Sequence, residues 1–185
     1  MNAISPQGLS LPQPTTGIRL QMLADIAEAA HTSLPRRHKA VAAALAPYLG
    51  LPGLLDGLSC PSCAEHYSRH LLHNNAAANY AVVAIVWAPG QMSPVHAHRT
   101  WCAFGIHQGW LAETYFDAGA QAAGCVTPSP TACHAHAAGS TGCAPAGHEA
   151  IHRLANLGTA NAISLHVYGV AFDDFGVGVN EVYAP

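Results

Sequence analysis

Residues 90–98 read Gly-Gln-Met-Ser-Pro-Val-His-Ala-His, and the chain on either side of them is strand-like. Upstream, Tyr80–Trp87 (YAVVAIVW) is an unbroken run of β-branched, aromatic and small apolar residues, the composition of a buried strand, and Pro89-Gly90 ends it. Downstream, Thr100–His107 and Trp110–Phe116 read as two strands joined at Gln108-Gly109. In extended backbone, residues two apart face the same way. His96 and His98 therefore project together, and two imidazoles on one side can chelate one metal ion. A third histidine from a distant strand would complete a facial set. Imidazole suits iron, zinc, copper and nickel alike, so the donors alone do not choose the metal.

A second pair of the same spacing, His134-Ala135-His136, is an internal control. It lies within residues 117–147, a stretch of Ala, Gly, Ser, Thr and Pro with Cys and His scattered through it. That composition reads as a long low-complexity loop, and a loop offers no rigid element to hold two ligands. The pair is expected to be a solvent-exposed loop element. Strands return at His148–Leu154, Ala162–Val170 and Val177–Tyr183.

The N-terminal part has a different texture. Residues 1–16, rich in Pro, Gln, Ser and Thr, read as a flexible arm. Gly17–Ala30 shows helical spacing, with Leu20, Leu23, Ile26 and Ala27 on one side. Pro35 and the basic group Arg36, Arg37, His38, Lys39 open a second, Ala-rich helix to about Leu49, and that group reads as a solvated first turn. A third helix is expected over Cys63–His73. Cys60-Pro-Ser-Cys63 has the spacing of half a zinc site or of a redox pair, but no second such pair exists and no strand precedes it. It reads as a turn at a helix start, with Ser59 or Ser62 as cap. Helices first, then short strands between Gly/Pro turns, predict a mainly β fold, a barrel or double-sheet roll with N-terminal α-helices. Residues 17–185 form a single domain in this reading, with a helical cap over 17–75 and a barrel over 79–185.

Composition excludes several classes. Only 9% of the 185 residues are charged, where about a quarter is usual, yet there are 13 histidines. A net charge of -3 argues against a nucleic-acid or anionic-membrane partner. No apolar run approaches the roughly 20 residues of a membrane span. The N-terminus lacks the basic and apolar regions of a secretory leader, so a cytoplasmic location with free cysteines is expected.

Larger motifs then emerge. Gly90-Gln-Met-Ser-Pro-Val-His96-Ala-His98 resembles the first cupin motif, a glycine preceding HxH by five residues, and Gly109 closes it after the next strand. His148-Glu-Ala-Ile-His152-Arg-Leu-Ala-Asn156 resembles the second. Ala162-Ile-Ser-Leu-His-Val-Tyr168 is similar to the Ser-x-His-x-Tyr signature of the cysteine dioxygenase family, and Tyr67-Ser-Arg69 resembles its Tyr-x-Arg. The likeness spans about residues 65–170.

The resemblance implies a cupin, a double-stranded β-helix or jelly-roll barrel. It implies Fe(2+) held by His96, His98 and His152, and a relay of Ser164, His166 and Tyr168. Arg69, beside Tyr67, would fork the substrate carboxylate, and the substrates would be L-cysteine and dioxygen. Cys102 sits where animal-type members carry the cysteine that forms a thioether with the active-site tyrosine, here Tyr168. The loop from His98 to Cys102 is one residue shorter than in that form, and many bacterial relatives have glycine at this place. Trp101 and the Tyr168-Gly-Val-Ala sequence, without Ser-Pro-Pro, also depart from the animal pattern. Relatives acting on 3-mercaptopropionate usually carry glutamine where Arg69 stands. The rival readings are 3-mercaptopropionate dioxygenase, a non-catalytic metal-binding cupin sensor, and a zinc hydrolase. The last lacks an evident carboxylate base beside the ligands, Glu149 being the nearest in sequence. Arg99 and Arg153 should point away from the metal by strand alternation.

Overall fold

A computed structural model describes residues 17–119, 121–122 and 125–183, so the arm read at residues 1–16 lies outside the described residues. Two helices come first, α1 (Gly17–Ala30) and α2 (Leu34–Leu45). Then follow β1 (Ser68–Asn75), β2 (Tyr80–Trp87), β3 (His96–His98), β4 (Cys102–Gln108), β5 (Trp110–Asp117), β6 (Gln121–Ala122), β7 (Cys125–Val126), β8 (Ser129–Ala137), β9 (Thr141–Ala144), β10 (Gly147–Ala155), β11 (Ala162–Tyr168), the single turn α3 (Phe175–Gly178) and β12 (Asn180–Val182). Ten of the strands build two antiparallel five-stranded sheets, ordered β1-β2-β11-β4-β9 and β12-β3-β10-β5-β8, and β6 and β7 pair as a separate two-stranded ribbon. This is the expected mainly β double-sheet roll with N-terminal helices.

The apolar run of β2 has a simple cause. Tyr80, Val82 and Ala84 belong to a core shared with Met22, Ile26, Val41, Leu45 and Leu49 of the helical layer. Ala81, Val83, Ile85 and Trp87 face the other way, into a core with Phe104, Leu111, Leu154 and Tyr168. A strand covered on both faces has no reason to alternate. The helices lie close on this sheet: a Cβ at Gly105 on β4 would fall 2.4 Å from Leu49 Cδ1.

Four expectations are corrected. On α1 the buried face is Arg19, Met22, Ile26 and Ala30, while Leu20 is 57% exposed. Arg19 wins the inward place because its Nη1 donates to the carbonyls of Leu54 and Asp56, tying α1 to the turns after α2. Cys63–His73 is not a helix: residues 68–75 form β1, which pairs with β2 from Ser68↔Val86 to Asn75↔Tyr80. An unpaired edge of a buried strand is a strong demand that local helical spacing does not outweigh. With no helix there, Ser59 and Ser62 cap nothing, and Cys60 and Cys63 sit in the irregular segment before β1. The stretch 117–147 is not a loop throughout. β8 pairs along β5 from Trp110↔Ala137 to Asp117↔Ser129, and β9 pairs with β4. These strands close the outer edge of each sheet through backbone hydrogen bonds, and the mostly exposed side chains of β8 need no apolar pattern. Finally, the strand read at Val177–Tyr183 is α3 followed by the shorter β12.

The Gln108-Gly109 junction is a tight corner at which the chain passes from one sheet to the other, β4 and β5 lying in different sheets. Gly109 has φ +73, and a Cβ there would lie 3.2 Å from Ala162 Cα, so the position tolerates only glycine without strain. Cys60, Cys63, Cys102, Cys133 and Cys143 are free thiols. Among the described residues no helix is long and apolar enough to cross a membrane.

Candidate active site

β3 carries His96 and His98 on adjacent inward positions, and β10 brings His152 opposite His96 in register. All three are buried, and one ring nitrogen from each lies within 4.8 Å of the others. Ring centroids are 4.5 to 5.0 Å apart. Proton positions follow from the acceptors. His96 Nδ1 is 3.0 Å from the Pro94 carbonyl, which only accepts, so Nδ1 carries the proton. His152 Nδ1 is 2.6 Å from Glu113 Oε1 and donates to it. This leaves His152 Nε2 buried with no hydrogen-bond partner, and His98 Nδ1 is likewise without one. A cluster of three ring nitrogens, with His152 Nε2 buried and unpaired, fits a metal ion. Burial, then the neighbouring His152, holds His96 down to about 3, and burial with His152 and His96 holds His98 well below its usual value. Both stay in the neutral form that coordinates metal.

β11 supplies the second feature. Ser164, His166 and Tyr168 alternate onto its inner face and are joined by hydrogen bonds of 2.9 Å (Ser164 Oγ to His166 Nε2) and 3.1 Å (His166 Nδ1 to Tyr168 Oη). Trp87 Nε1 sits 2.9 Å from Ser164 Oγ. Indole only donates, so Ser164 accepts there and directs its own proton to His166 Nε2. His166, held to about 3 by burial first and Arg69 next, is neutral, so its proton is on Nδ1 and points at the Tyr168 oxygen. The phenol proton of Tyr168 is thereby free to be donated into the cavity. Sequence reading did not single out Trp87, hidden in an apolar strand; the signal was its inward parity with Val83 and Ile85.

Tyr67 and Arg69 lie just before and on β1, at the same cavity. Arg69 Nη2 donates to Tyr67 Oη at 3.1 Å, and Tyr67 stacks on Trp87 with centroids 4.5 Å apart. Arg69 is the only Lys, Arg, Asp or Glu among the described residues lining this cavity, which also include the three histidines, Cys102, Tyr168, Phe104 and Leu154. Cys102 on β4 faces Tyr168 on β11 in register. Burial raises both, the Cys102 thiol and the Tyr168 phenol, well above their usual values. Arg99 and Arg153 lie elsewhere: Arg99 Nε donates to the Asn180 carbonyl at 3.3 Å, and Arg153 stands 6.0 Å from the Phe116 ring centre. Asn156 pins the turn after β10, donating to the carbonyls of Trp87 and Ala160 at 2.8 and 2.9 Å.

Residues 63–176 match the family model of cysteine dioxygenase type I. The chain belongs to this family. Among solved structures, the protein TT1209 from Thermus thermophilus is 18% identical over 58% of this chain and 87% of its own, with a TM-score of 0.46. A cupin superfamily protein from Desulfitobacterium hafniense is 15% identical over 65% of this chain and 89% of its own, with a TM-score of 0.46. A Klebsiella pneumoniae protein with a double-stranded β-helix domain is 19% identical over 69% of this chain and 96% of its own, with a TM-score of 0.43.

Two expectations about the surroundings are overturned. The carboxylate beside the ligands is Glu113 of β5, not Glu149, which is exposed. The second histidine pair is not a loop element: it lies on β8, and while His134 is exposed, His136 Nε2 sits 2.8 Å from Glu113 Oε2. The signal for Glu113 was its place in Leu111-Ala-Glu-Thr-Tyr115, an acid sharing the inward parity of Leu111 on a barrel strand. Glu113 touches the far side of His152 and does not line the cavity, so it is not placed to activate a water there.

Proposed function

We propose that this member of the family is an iron(II)-dependent thiol dioxygenase that oxidises L-cysteine with dioxygen to cysteine sulfinic acid. The observation that carries the reading is one cation, Arg69, in the same cavity as the three clustered histidines. His96, His98 and His152 would hold the iron. When bound, ferrous iron supplies the centre at which a thiolate and dioxygen meet. Both oxygen atoms go to sulfur, so the reaction balances without an external reductant. A guanidinium beside an otherwise uncharged wall recognises a carboxylate through paired N–H donors. Tyr67 holds that guanidinium by accepting from Nη2, and its ring stacks on Trp87. The polarised chain from Trp87 through Ser164 and His166 leaves Tyr168 as a donor toward substrate oxygen. Cysteamine, lacking a carboxylate, leaves Arg69 idle.

Facing positions on β4 and β11 also support a Cys102–Tyr168 thioether. An S–H and a ring C–H would give way to an S–C bond, the two hydrogens passing to dioxygen. The intact mass would be two hydrogens lower than the sequence mass, a deficit absent from Cys102→Ala.

3-Mercaptopropionate is the second reading, since it offers the same carboxylate and thiol and the described residues lining the cavity include no acid to pair a free ammonium. Oxygen uptake by iron-loaded protein with L-cysteine, 3-mercaptopropionate and cysteamine separates the cases. The highest kcat/KM is expected with L-cysteine. A higher value with 3-mercaptopropionate would move the assignment to that substrate, and no uptake with any thiol despite bound iron would favour a non-catalytic sensor.

A further inference from the structure

His152 is the ligand that reaches a carboxylate. Glu113 Oε1 lies 2.6 Å from its Nδ1, while Oε2 lies 2.8 Å from His136 Nε2 and 2.5 Å from the Tyr115 hydroxyl, which donates to it. Glu113 is 3% exposed. Burying a carboxylate is costly unless donors meet its lone pairs. Here three donors converge on it, from β10, β5 and β8. One of them belongs to the second histidine pair, in the part of the chain whose composition carries the least pattern.

We propose that Glu113, held in place by His136 and Tyr115, is a positioning residue for the metal ligand His152. It keeps the proton of His152 on Nδ1, fixes the ring plane so that Nε2 faces His96 and His98, and supplies, one hydrogen bond away, a negative charge that the three-histidine set itself does not contain. The inference rests on the reading of the histidine cluster as a metal centre. It also gives the 117–147 stretch a task. β8 is more than an edge strand, because it delivers His136 to a carboxylate that β5 alone would leave with an open lone pair. An imidazole that donates to a carboxylate is a stronger ligand through its other nitrogen, and loss of such a partner typically costs about 10- to 100-fold in metal affinity or activity.

A packing role for His136 is the competing account, since its ring meets Phe104 edge-on with centroids 5.6 Å apart. Two substitutions separate donor from ring: His136→Phe keeps an aromatic ring and loses the donor, whereas His136→Gln keeps an N–H donor and loses the ring. The full chain and its Glu113→Gln, His136→Phe and His136→Gln variants are titrated with Fe(II), anaerobically, against a coloured chelator. Visible spectra of the Co(II)-loaded proteins are recorded, and thermal melts of the metal-free proteins check folding. Glu113→Gln is expected to weaken Fe(II) binding about 10- to 100-fold and shift the Co(II) bands. His136→Phe should weaken it in the same sense, and His136→Gln should retain wild-type affinity. Wild-type affinity and an unchanged Co(II) spectrum in Glu113→Gln would overturn the proposal. So would normal binding by His136→Phe beside weak binding by His136→Gln. Failure of the wild-type chain itself to bind either ion would instead remove the metal-centre reading, a distinct result.

Discussion

Arg69 is where the choice of substrate becomes a matter of single atoms. It is the only Lys, Arg, Asp or Glu among the described residues of the cavity wall and is steadied by Tyr67. Hydrogen bonds to charged groups contribute about 1.5–3 kcal/mol, so Arg69→Ala should raise the KM for L-cysteine roughly 10- to 100-fold. Arg69→Lys should recover only part of this, because a point charge does not reproduce the planar fork. Oxygen-uptake kinetics over a wide cysteine range measure both. Trp87 offers a complementary case. Trp87→Phe keeps a ring against Tyr67 but removes the fixed donor to Ser164, so the relay loses its direction. A fall in kcat on the order of tenfold with little change in KM is expected, which corresponds to one net hydrogen bond of about 1–1.5 kcal/mol. At this scale the sequence was readable where residues share a strand: His96 with His98, and Ser164 with His166 and Tyr168. Glu113 and Trp87 were not, because each acts through a partner from another strand.

Elements tell a related story. Trp101 and Gly169, two departures from the animal pattern, are one feature: a Cβ at Gly169 would lie 2.2 Å from Trp101 Nε1, and the Gly169 amide donates to the Trp101 carbonyl at 2.9 Å. The large indole needs the missing side chain. The same logic ties the helical layer to the barrel at Gly105 and Leu49. Gly105→Ala should destabilise the fold by about 1–3 kcal/mol, read as a lower Tm, because it overfills a packed contact. Adding Leu49→Ala should cost less than the two single losses together, since each relieves the other's strain. Fully additive losses in a double-mutant cycle would show that the two sites do not touch. Periodicity located α1 and α2 well because helical spacing is local. It misplaced β1, β8 and β9 because their stability comes from pairing with strands whose own position depends on the whole sheet.

For the whole molecule, burial of neutral histidines has a consequence for acid stability. Burial lowers His38 (with help from Lys39), His73 and His107 below the usual value near 6.5. Above that pH these groups are neutral in both the folded and the unfolded chain and add nothing. Below it the unfolded chain binds protons that the folded chain refuses, so stability should fall progressively as pH drops from 6.5. Urea midpoints at about pH 7.5 and 5.5, either side of that value, measure the fall, and His38→Gln should reduce it; an equal fall in that variant would clear His38. A metal bound only by the native state adds RT ln(1 + [L]/Kd), about 2.7 kcal/mol at a hundredfold excess over Kd, so chelation should lower the Tm of iron-loaded protein. By itself the sequence determined the cupin motifs, the paired histidines and the Ser-x-His-x-Tyr face, since each is a short-range pattern imposed by the two-residue repeat of a strand. Only the tertiary structure decided that His152 meets His96, that Arg69 shares their cavity, that His136 of the second histidine pair reaches Glu113, and that residues without apolar pattern finish both sheets. Those are contacts between distant strands, set by backbone pairing and by the need to satisfy buried charge, and neither leaves a periodic trace in the chain.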